Sequence, residues 1–337
     1  MRVYQIPKPE GIDSLVLREA PKPTPGRGEV LVRMRAASLN YRDLMVLTGR
    51  YARGTPLPDL VPLSDGAGEV AEVGPGVTRV QPGDRVAGIF MQTWLGGDSE
   101  PEHAASSLGG AIHGVLAEYV LFDQQGLVKL PAHLSFEEGA TLPCAGVTAW
   151  NALYAGRPLM AGHDVLVLGT GGVSMFALQF AHAAGARVIA TSSSDDKLAR
   201  ARELGAAGTV NYRQQPEWQD AVMALTEGRG VDHVVEVGGA GTLQRSIAAA
   251  RLGGQIHQIG VLTGGGPIDA TAAMRKGLIM RGIYVGSRQM FEAMNRAITV
   301  SQLRPVIDRV FSFDQARDAY RHLQSQSHFG KVVIGIE

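Results

Sequence analysis

The chain has 337 residues, 45% hydrophobic and 19% charged, with 32 Lys+Arg against 32 Asp+Glu; the length suits about two domains, and the zero formal charge argues against a broad nucleic-acid or anionic-membrane surface. Cys144 is the single cysteine, which excludes an internal disulfide and an all-thiolate zinc cage. The opening MRVYQIPKPEG lacks an apolar signal core, and no apolar run nears the roughly 20 residues of a membrane span, so a cytoplasmic protein with no membrane partner is expected.

Up to about residue 145 the chain reads as short strands punctuated by Gly and Pro. Strands are predicted at Val30–Ala37, Gly68–Val73, Arg85–Ile89 and Leu116–Phe122, with turns at Pro21–Gly28, Gly74–Gly76 and Pro82-Gly83-Asp84. Residues 91–113 are Gly/Ser-rich and read as a surface excursion outside the core. The rhythm then changes to strand–helix alternation. Asp164–Leu168 is an apolar run suited to a strand buried on both faces. Val173, Phe176, Ala177, Phe180, Ala181 and Ala184 follow at the spacing of one helix face. Further strands are predicted at Arg187–Thr191, Thr209–Tyr212, His233–Val237, Gln255–Ile259 and Ile279–Val285. Helices are predicted at Asp195–Leu204, around Trp218–Thr226 and at Thr242–Leu252. This alternation implies a parallel sheet with helices on both faces, hence an α/β fold after a β-rich domain. The tail holds a helix, Phe313–Ser325, introduced by Ser312 with Asp314 downstream, and a strand, Lys331–Ile336. Neither fits another βα repeat, so the tail is expected to pack on the first domain.

Directly after the first strand of the alternating part stands Gly169-Thr170-Gly171-Gly172-Val173-Ser174, opening a helix. Glycines there let backbone N–H groups approach a pyrophosphate, and the positive helix end favours its charge. Ser174 stands where a third glycine is usual, and serine is small enough for close helix–strand packing. The second strand ends at Thr191 and is followed by Ser192, Ser193 and Ser194, with Lys197 in the first helical turn. An acidic residue here would hold the ribose hydroxyls of NAD and repel a 2′-phosphate. Hydroxyls and a cation instead favour NADP(H) over NAD(H). Asp195 and Asp196 count the other way unless they serve the start of the helix.

These segments together resemble the medium-chain dehydrogenase/reductase superfamily over nearly the whole length. The resemblance rests on Glu29–Ala37, Asn40-Tyr41-Arg42-Asp43, Gly66–Gly76, Pro82–Val86, Ala117-Glu118-Tyr119, Cys144–Ala149 and Gly169–Ser174. It implies a GroES-like catalytic domain, 1–145, interrupted by a Rossmann domain, 146–285, and resumed at 286–337, with the active site in the cleft between them. Zinc-dependent members place a Cys after the third strand, a Gly-His-Glu before the Gly66-like turn, and a further ligand at the CAGVTA segment. Here those positions hold Asn40, Ser64-Asp65 and Cys144, a poor zinc set. The structural-zinc cysteine cluster is absent, and His103 and His113 in that neighbourhood read as loop histidines. No metal is therefore expected.

The zinc-independent quinone oxidoreductase-like branch fits better, on Asn40, Asp43 and Gly49-Arg50-Tyr51. By that resemblance Cys144 and Thr148 lie near the nicotinamide, and Tyr212 lies against the 2′-phosphate. Val237-Gly238, Ile259-Gly260-Val261 and Val285-Gly286 form the ligand rim, and Phe329-Gly330-Lys331 closes over the cofactor. Asn40, Tyr41 and Tyr51 are the candidate hydrogen-bond donors to a developing oxyanion; Asp43 reads as a loop anchor, pairing with Arg42 or Arg50. Three readings stand: a reductase of quinones, enones or related carbonyls; an alcohol dehydrogenase acting on a small alcohol; and an NADPH-binding regulatory or structural protein. The family also implies a homodimer through edges near Met280–Val285.

Overall fold

The two rhythms of the sequence become two units, Met1–Val147 with Val285–Glu337, and Thr148–Tyr284, in a computed structural model that describes residues 1–51 and 57–337. The first unit opens with an antiparallel ribbon of β1 (Arg2–Gln5) and β2 (Val16–Glu19). β3 (Glu29–Ser38) follows, then α1 (Tyr41–Leu47), β4 (Asp65–Val73), β5 (Arg85–Gly88), the short α2 (Pro101–Ala104), β6 (Tyr119–Asp123), β7 (Leu127–Lys129) and α3 (Phe136–Ala140). β3 is the axis of this sheet. It pairs antiparallel with β4 on one side and, through Glu29–Arg33, with β6 on the other. Val30, Leu31 and Val32 are consecutively buried, so both faces of the strand are covered.

Residues 91–113 depart from the surface excursion expected of them. Met91, Trp94, Ser107 and Leu108 are buried, and Leu108 joins the core of this unit with Leu39, Leu63 and Val115. Polar composition hid the reason: the segment hands its Leu108 and Gly109 carbonyls to the buried Arg42 guanidinium, at 3.0 and 3.2 Å.

The second unit begins along α4 (Val147–Tyr154). Next come β8 (Asp164–Val167), α5 (Gly172–Ala183), β9 (Arg187–Ser192), α6 (Asp195–Glu203), β10 (Ala206–Asn211), α7 (Trp218–Leu225), β11 (Val231–Glu236), α8 (Ala240–Ala249), β12 (Ala250–Gln258), α9 (Ala270–Arg275) and β13 (Ile279–Gly282). The six strands run parallel in the order β10-β9-β8-β11-β12-β13. This is the doubly wound dinucleotide-binding order, whose ligand crevice opens at the carboxyl ends of the strands where the winding reverses, between β8 and β11. Leu166, Ile189, Val234 and Ile256 from neighbouring strands join Trp218, Leu243 and Ile247 from the helices in one core. The predicted helix Thr242–Leu252 ends three residues early, because Ala250 already pairs with Val231 as a strand residue.

The chain then re-enters the first unit. α10 (Arg288–Ser301) was missed in the sequence, although Ser287 caps it by accepting from Met290 N–H at 3.3 Å and Phe291, Met294 and Ile298 are buried on one face. β14 (Ile307–Ser312) follows. The expected helix from Phe313 starts as a 3-10 turn, Phe313–Gln315, before α11 (Ala316–Gln324), and the side chain answering Ser312 is Gln315 rather than Asp314. β15 (Lys331–Gly335) pairs with Ala36–Ser38 of β3, so the last strand lies beside the first long one.

Candidate functional site

The turn after β8 is built for close approach. Gly169 has φ +67°, a conformation that side chains resist, and an added Cβ at either Gly169 or Gly171 would meet nothing within 4 Å. The space above the turn is therefore open. Gly171 caps α5 without a side-chain hydrogen bond, which leaves the first-turn N–H groups of Gly172, Val173 and Ser174 for an anion. Ser174 is buried, and its hydroxyl donates to the Leu168 carbonyl at 2.6 Å. The third small residue thus ties helix to strand, as a glycine would by packing. Thr170 is buried, and Gly169 N–H donates to Thr191 Oγ1 at 3.3 Å. These residues fit a diphosphate.

At the neighbouring strand end Ser192 is buried, and its Oγ accepts from Ser194 N–H at 3.3 Å. Ser194 is the cap of α6, accepting from Lys197 N–H at 3.4 Å. The capping role considered for Asp195 and Asp196 therefore falls to a serine. Asp195 instead accepts from Asn211 Nδ2 at 2.8 Å and Gln214 Nε2 at 2.9 Å. Tyr212 N–H donates to the Ser192 carbonyl at 3.0 Å, and its side chain is exposed. Ser192, Ser193, Lys197 and Tyr212 thus gather at the ends of β9 and β10.

The rim is held by a residue that sequence reasoning passed over. Glu236, fully buried at the end of β11, accepts from Gly238 N–H (2.7 Å), Gly239 N–H (3.1 Å), Thr242 Oγ1 (2.6 Å) and Ser246 Oγ. The signal was a carboxylate directly after the apolar Val234-Val235 at the end of the strand, where burial demands partners. A Cβ on Gly260 would fall 1.7 Å from the Val237 carbonyl oxygen, so only glycine lets these two strand ends meet. Ile259 N–H donates to the Glu236 carbonyl, and Val261 is exposed beyond it. Thr148 is buried at the start of this unit.

In the first unit Val285 is buried at φ +52°, a strained value for a β-branched residue, and Gly286 leaves a Cβ no room against Val147 and Met290. Gly330 turns at φ +82°, and Phe329 is buried with its N–H on Asp308. Lys331 differs from the cation expected to close over a cofactor. It is buried, 3% exposed, and its Nζ donates to the Leu39 carbonyl and to Asn40 Oδ1, both at 2.6 Å, with Asp65 Oδ2 at 3.9 Å. A polar cluster surrounds it. Ser64 Oγ donates to Asp65 Oδ1 at 2.6 Å, and Cys144 N–H to Asp65 Oδ2 at 3.2 Å. Burial raises the Asp65 carboxyl above its ordinary value while Lys331 pulls it down. Desolvation pushes the Cys144 thiol far up, and the Asp65 charge adds to it.

Asp43 anchors the loop: its Oδ2 accepts from Asn40 N–H at 2.7 Å, Arg42 lies at 3.6 Å, and burial lifts the carboxyl to about 6. Arg42 stacks between the Tyr51 and Phe90 rings, 4.5 and 4.7 Å from their centres, so the Tyr51 ring is a packed aromatic. Tyr41 opens α1 and is 41% exposed. The fold thus gathers Asn40, Ser64-Asp65 and Cys144, and puts an ammonium among them. A thiol held protonated, a single carboxylate and a neighbouring cation do not suit Zn²⁺, which takes thiolate, imidazole or carboxylate in a tetrahedral set. His103 and His113 accept from the backbone N–H groups of Glu100 and Val61. Among the described residues no group of three His, Cys, Asp or Glu is arranged to hold a metal, and no helix is long and apolar enough to cross a membrane.

Two family models match this chain: the alcohol dehydrogenase GroES-like domain over residues 26–132 and the zinc-binding dehydrogenase domain over residues 172–299. A zinc-type alcohol dehydrogenase-like protein of Schizosaccharomyces pombe is 46% identical over 317 residues, 92% of this chain and 91% of that protein. Among solved structures, an NAD-dependent alcohol dehydrogenase matches at 36% identity and TM-score 0.91, covering 100% of both chains. The quinone oxidoreductase of Pseudomonas syringae pv. Tomato DC3000 matches at 25% identity and TM-score 0.84, covering 99% of both.

Proposed function

Because this chain belongs to the medium-chain dehydrogenase/reductase superfamily, a family of oxidoreductases, we propose that it is a zinc-independent reductase that prefers NADP(H) to NAD(H) and delivers hydride to a quinone, an enone or a related carbonyl. The observation that carries this reading is the buried ammonium of Lys331 among the positions that hold zinc ligands in other members, 2.6 Å from Asn40 Oδ1. A cation there repels a metal ion, and the remaining donors are hydrogen-bonding groups.

When bound, NADPH supplies a hydride from C4 of its nicotinamide. This chain's share is to hold and orient. The N–H groups of Gly172, Val173 and Ser174, beside Gly169, Thr170 and Gly171, would receive the diphosphate. Ser192, Ser193, Lys197 and Tyr212 receive the 2′-phosphate; a serine in place of an acid at the end of β9 supports that preference. Val237-Gly238, Ile259-Gly260-Val261, Cys144, Thr148, Val285-Gly286 and Phe329-Gly330 complete the contacts in this reading. Asn40 Nδ2, with Tyr41 and Tyr51 near it in sequence, donates to the acceptor oxygen as charge develops. Weak neutral donors suit acceptors whose charge spreads along a conjugated system.

NADPH oxidation with a panel of quinones and enones, set against NADP⁺ reduction with a panel of alcohols, tests the proposal. Turnover confined to alcohols would move the assignment to an alcohol dehydrogenase, the activity named for the 36% identical solved structure. Tight NADPH binding without turnover of any acceptor would move it to a regulatory or structural role. We further propose a homodimer through the edge strand β13, where Met280 is exposed; light scattering gives the mass.

A further inference from the structure

We propose that Lys331 is a positioning residue: its ammonium fixes the Asn40 amide with Nδ2 turned to the acceptor, and supplies in organic form the positive charge that a metal would bring. This deepens the reading of Asn40 as oxyanion donor and rests on it.

An asparagine amide can sit either way round, and its neighbours decide. An ammonium only donates, so the 2.6 Å contact with Nζ assigns Oδ1 to Lys331 and leaves Nδ2 on the other side. Among the described residues Nδ2 is buried without a hydrogen bond of its own. The Asn40 side chain acts on Asp65 as a hydrogen-bonding neighbour that lowers its carboxyl, without reaching full hydrogen-bond geometry. An orphaned buried donor is costly unless a ligand completes it.

Lys331 itself is held from three sides: the Leu39 carbonyl, Asn40 Oδ1 and the Asp65 carboxylate. Its long stem is locked, because Lys331 opens β15 two residues before Val333, which pairs with Ser38, and Ser38 in turn pairs with Asp65 across β3 and β4. The sheet register therefore sets the amide. Donation to Oδ1 also draws electron density from the amide, making the Nδ2 hydrogens better donors.

The test pairs Lys331→Met with Asp65→Asn, so that no buried carboxylate is stranded, and compares it with Asn40→Ala and the triple variant. Thermal melting should show the pair folded like the parent protein, and NADPH affinity should stay within about twofold. Enone or quinone reduction should then fall about 100-fold in kcat with KM little changed. In the Asn40→Ala background the same pair should cost nothing further, since Lys331 acts through Asn40; additive losses would overturn the proposal. A second readout needs no turnover. The chain has four asparagines, Asn40, Asn151, Asn211 and Asn295, so selective ¹⁵N labelling resolves the Asn40 amide. Its two Nδ2 hydrogens should give separate, slowly exchanging signals that merge or broaden in the Lys331→Met/Asp65→Asn pair. Signals indifferent to that pair would overturn the proposal. A parent protein that reduces no acceptor would overturn the reading beneath it, and the amide signals tell the two failures apart.

Discussion

The two units build their sites in opposite ways. In the doubly wound unit the phosphate turn is six consecutive residues, Gly169–Ser174, acting through main-chain amides and empty space. In the β-rich unit the polar cluster is assembled from Asn40, Asp43, Asp65, Cys144 and Lys331, joined by strand pairing across the chain. The first can lose its ligand chemistry without losing its fold. The second cannot, because its side chains satisfy one another's charges in a dry interior.

Substitutions can break that contrast. Lys331→Met alone strands the buried Asp65 carboxylate and should cost about 4 kcal/mol of stability, read from the midpoint of chemical unfolding. Relief by Asp65→Asn would sharpen the case; a silent Lys331→Met would break it.

Next comes pH. His163, His233 and His257 hydrogen-bond in a row across the second unit, at 3.2 and 3.1 Å. Burial, then the neighbouring histidine, lowers His233 to about 4 and His257 to about 3. Both are neutral in the fold and bind protons more readily when unfolded. Their stabilising effect is complete above the unfolded value near 6.5 and is lost as pH falls through the folded values. Asp43 in the first unit runs the other way: raised to about 6 by burial, it favours the fold below its ordinary value of 3.8 and loses that contribution as pH rises to about 6. Unfolding of the second unit from pH 7 to pH 4, followed by hydrogen exchange, should show a loss of about 3 kcal/mol for His233 alone. A flat profile in that unit would contradict neutral His233 and His257.

Gly171→Leu should leave stability within about 1 kcal/mol, since nothing lies within 4 Å of its added Cβ. It should weaken NADH and NADPH together by about 100-fold, near 2.7 kcal/mol, in fluorescence titration. The smallest effect is Ser192→Asp. It should weaken NADPH about tenfold more than NADH, near 1.4 kcal/mol, and equal losses would remove the 2′-phosphate assignment.

What could be read in advance follows the same division. The strand before Gly169 and the helix after it were legible because each signal is local. The strand–helix rhythm likewise gave the parallel sheet. The partners of Lys331 were not legible because Leu39, Asn40 and Asp65 lie 266 to 292 residues away along the chain and meet it only through the register of β15, β3 and β4. Residues 91–113 misled for a related reason: the partner of the Leu108 and Gly109 carbonyls is a guanidinium on α1. Glu236 was within reach, as a charge directly after Val234-Val235, and so was α10, with Ser287 ahead of Phe291, Met294 and Ile298.

Calorimetric titration of the purified protein with NADPH, and separately with NADH, tests the account most directly. It should give one saturable site per chain, tighter for NADPH, and weakened about 100-fold for both by Gly171→Leu. Heat from neither nucleotide, or a site untouched by Gly171→Leu, would contradict it.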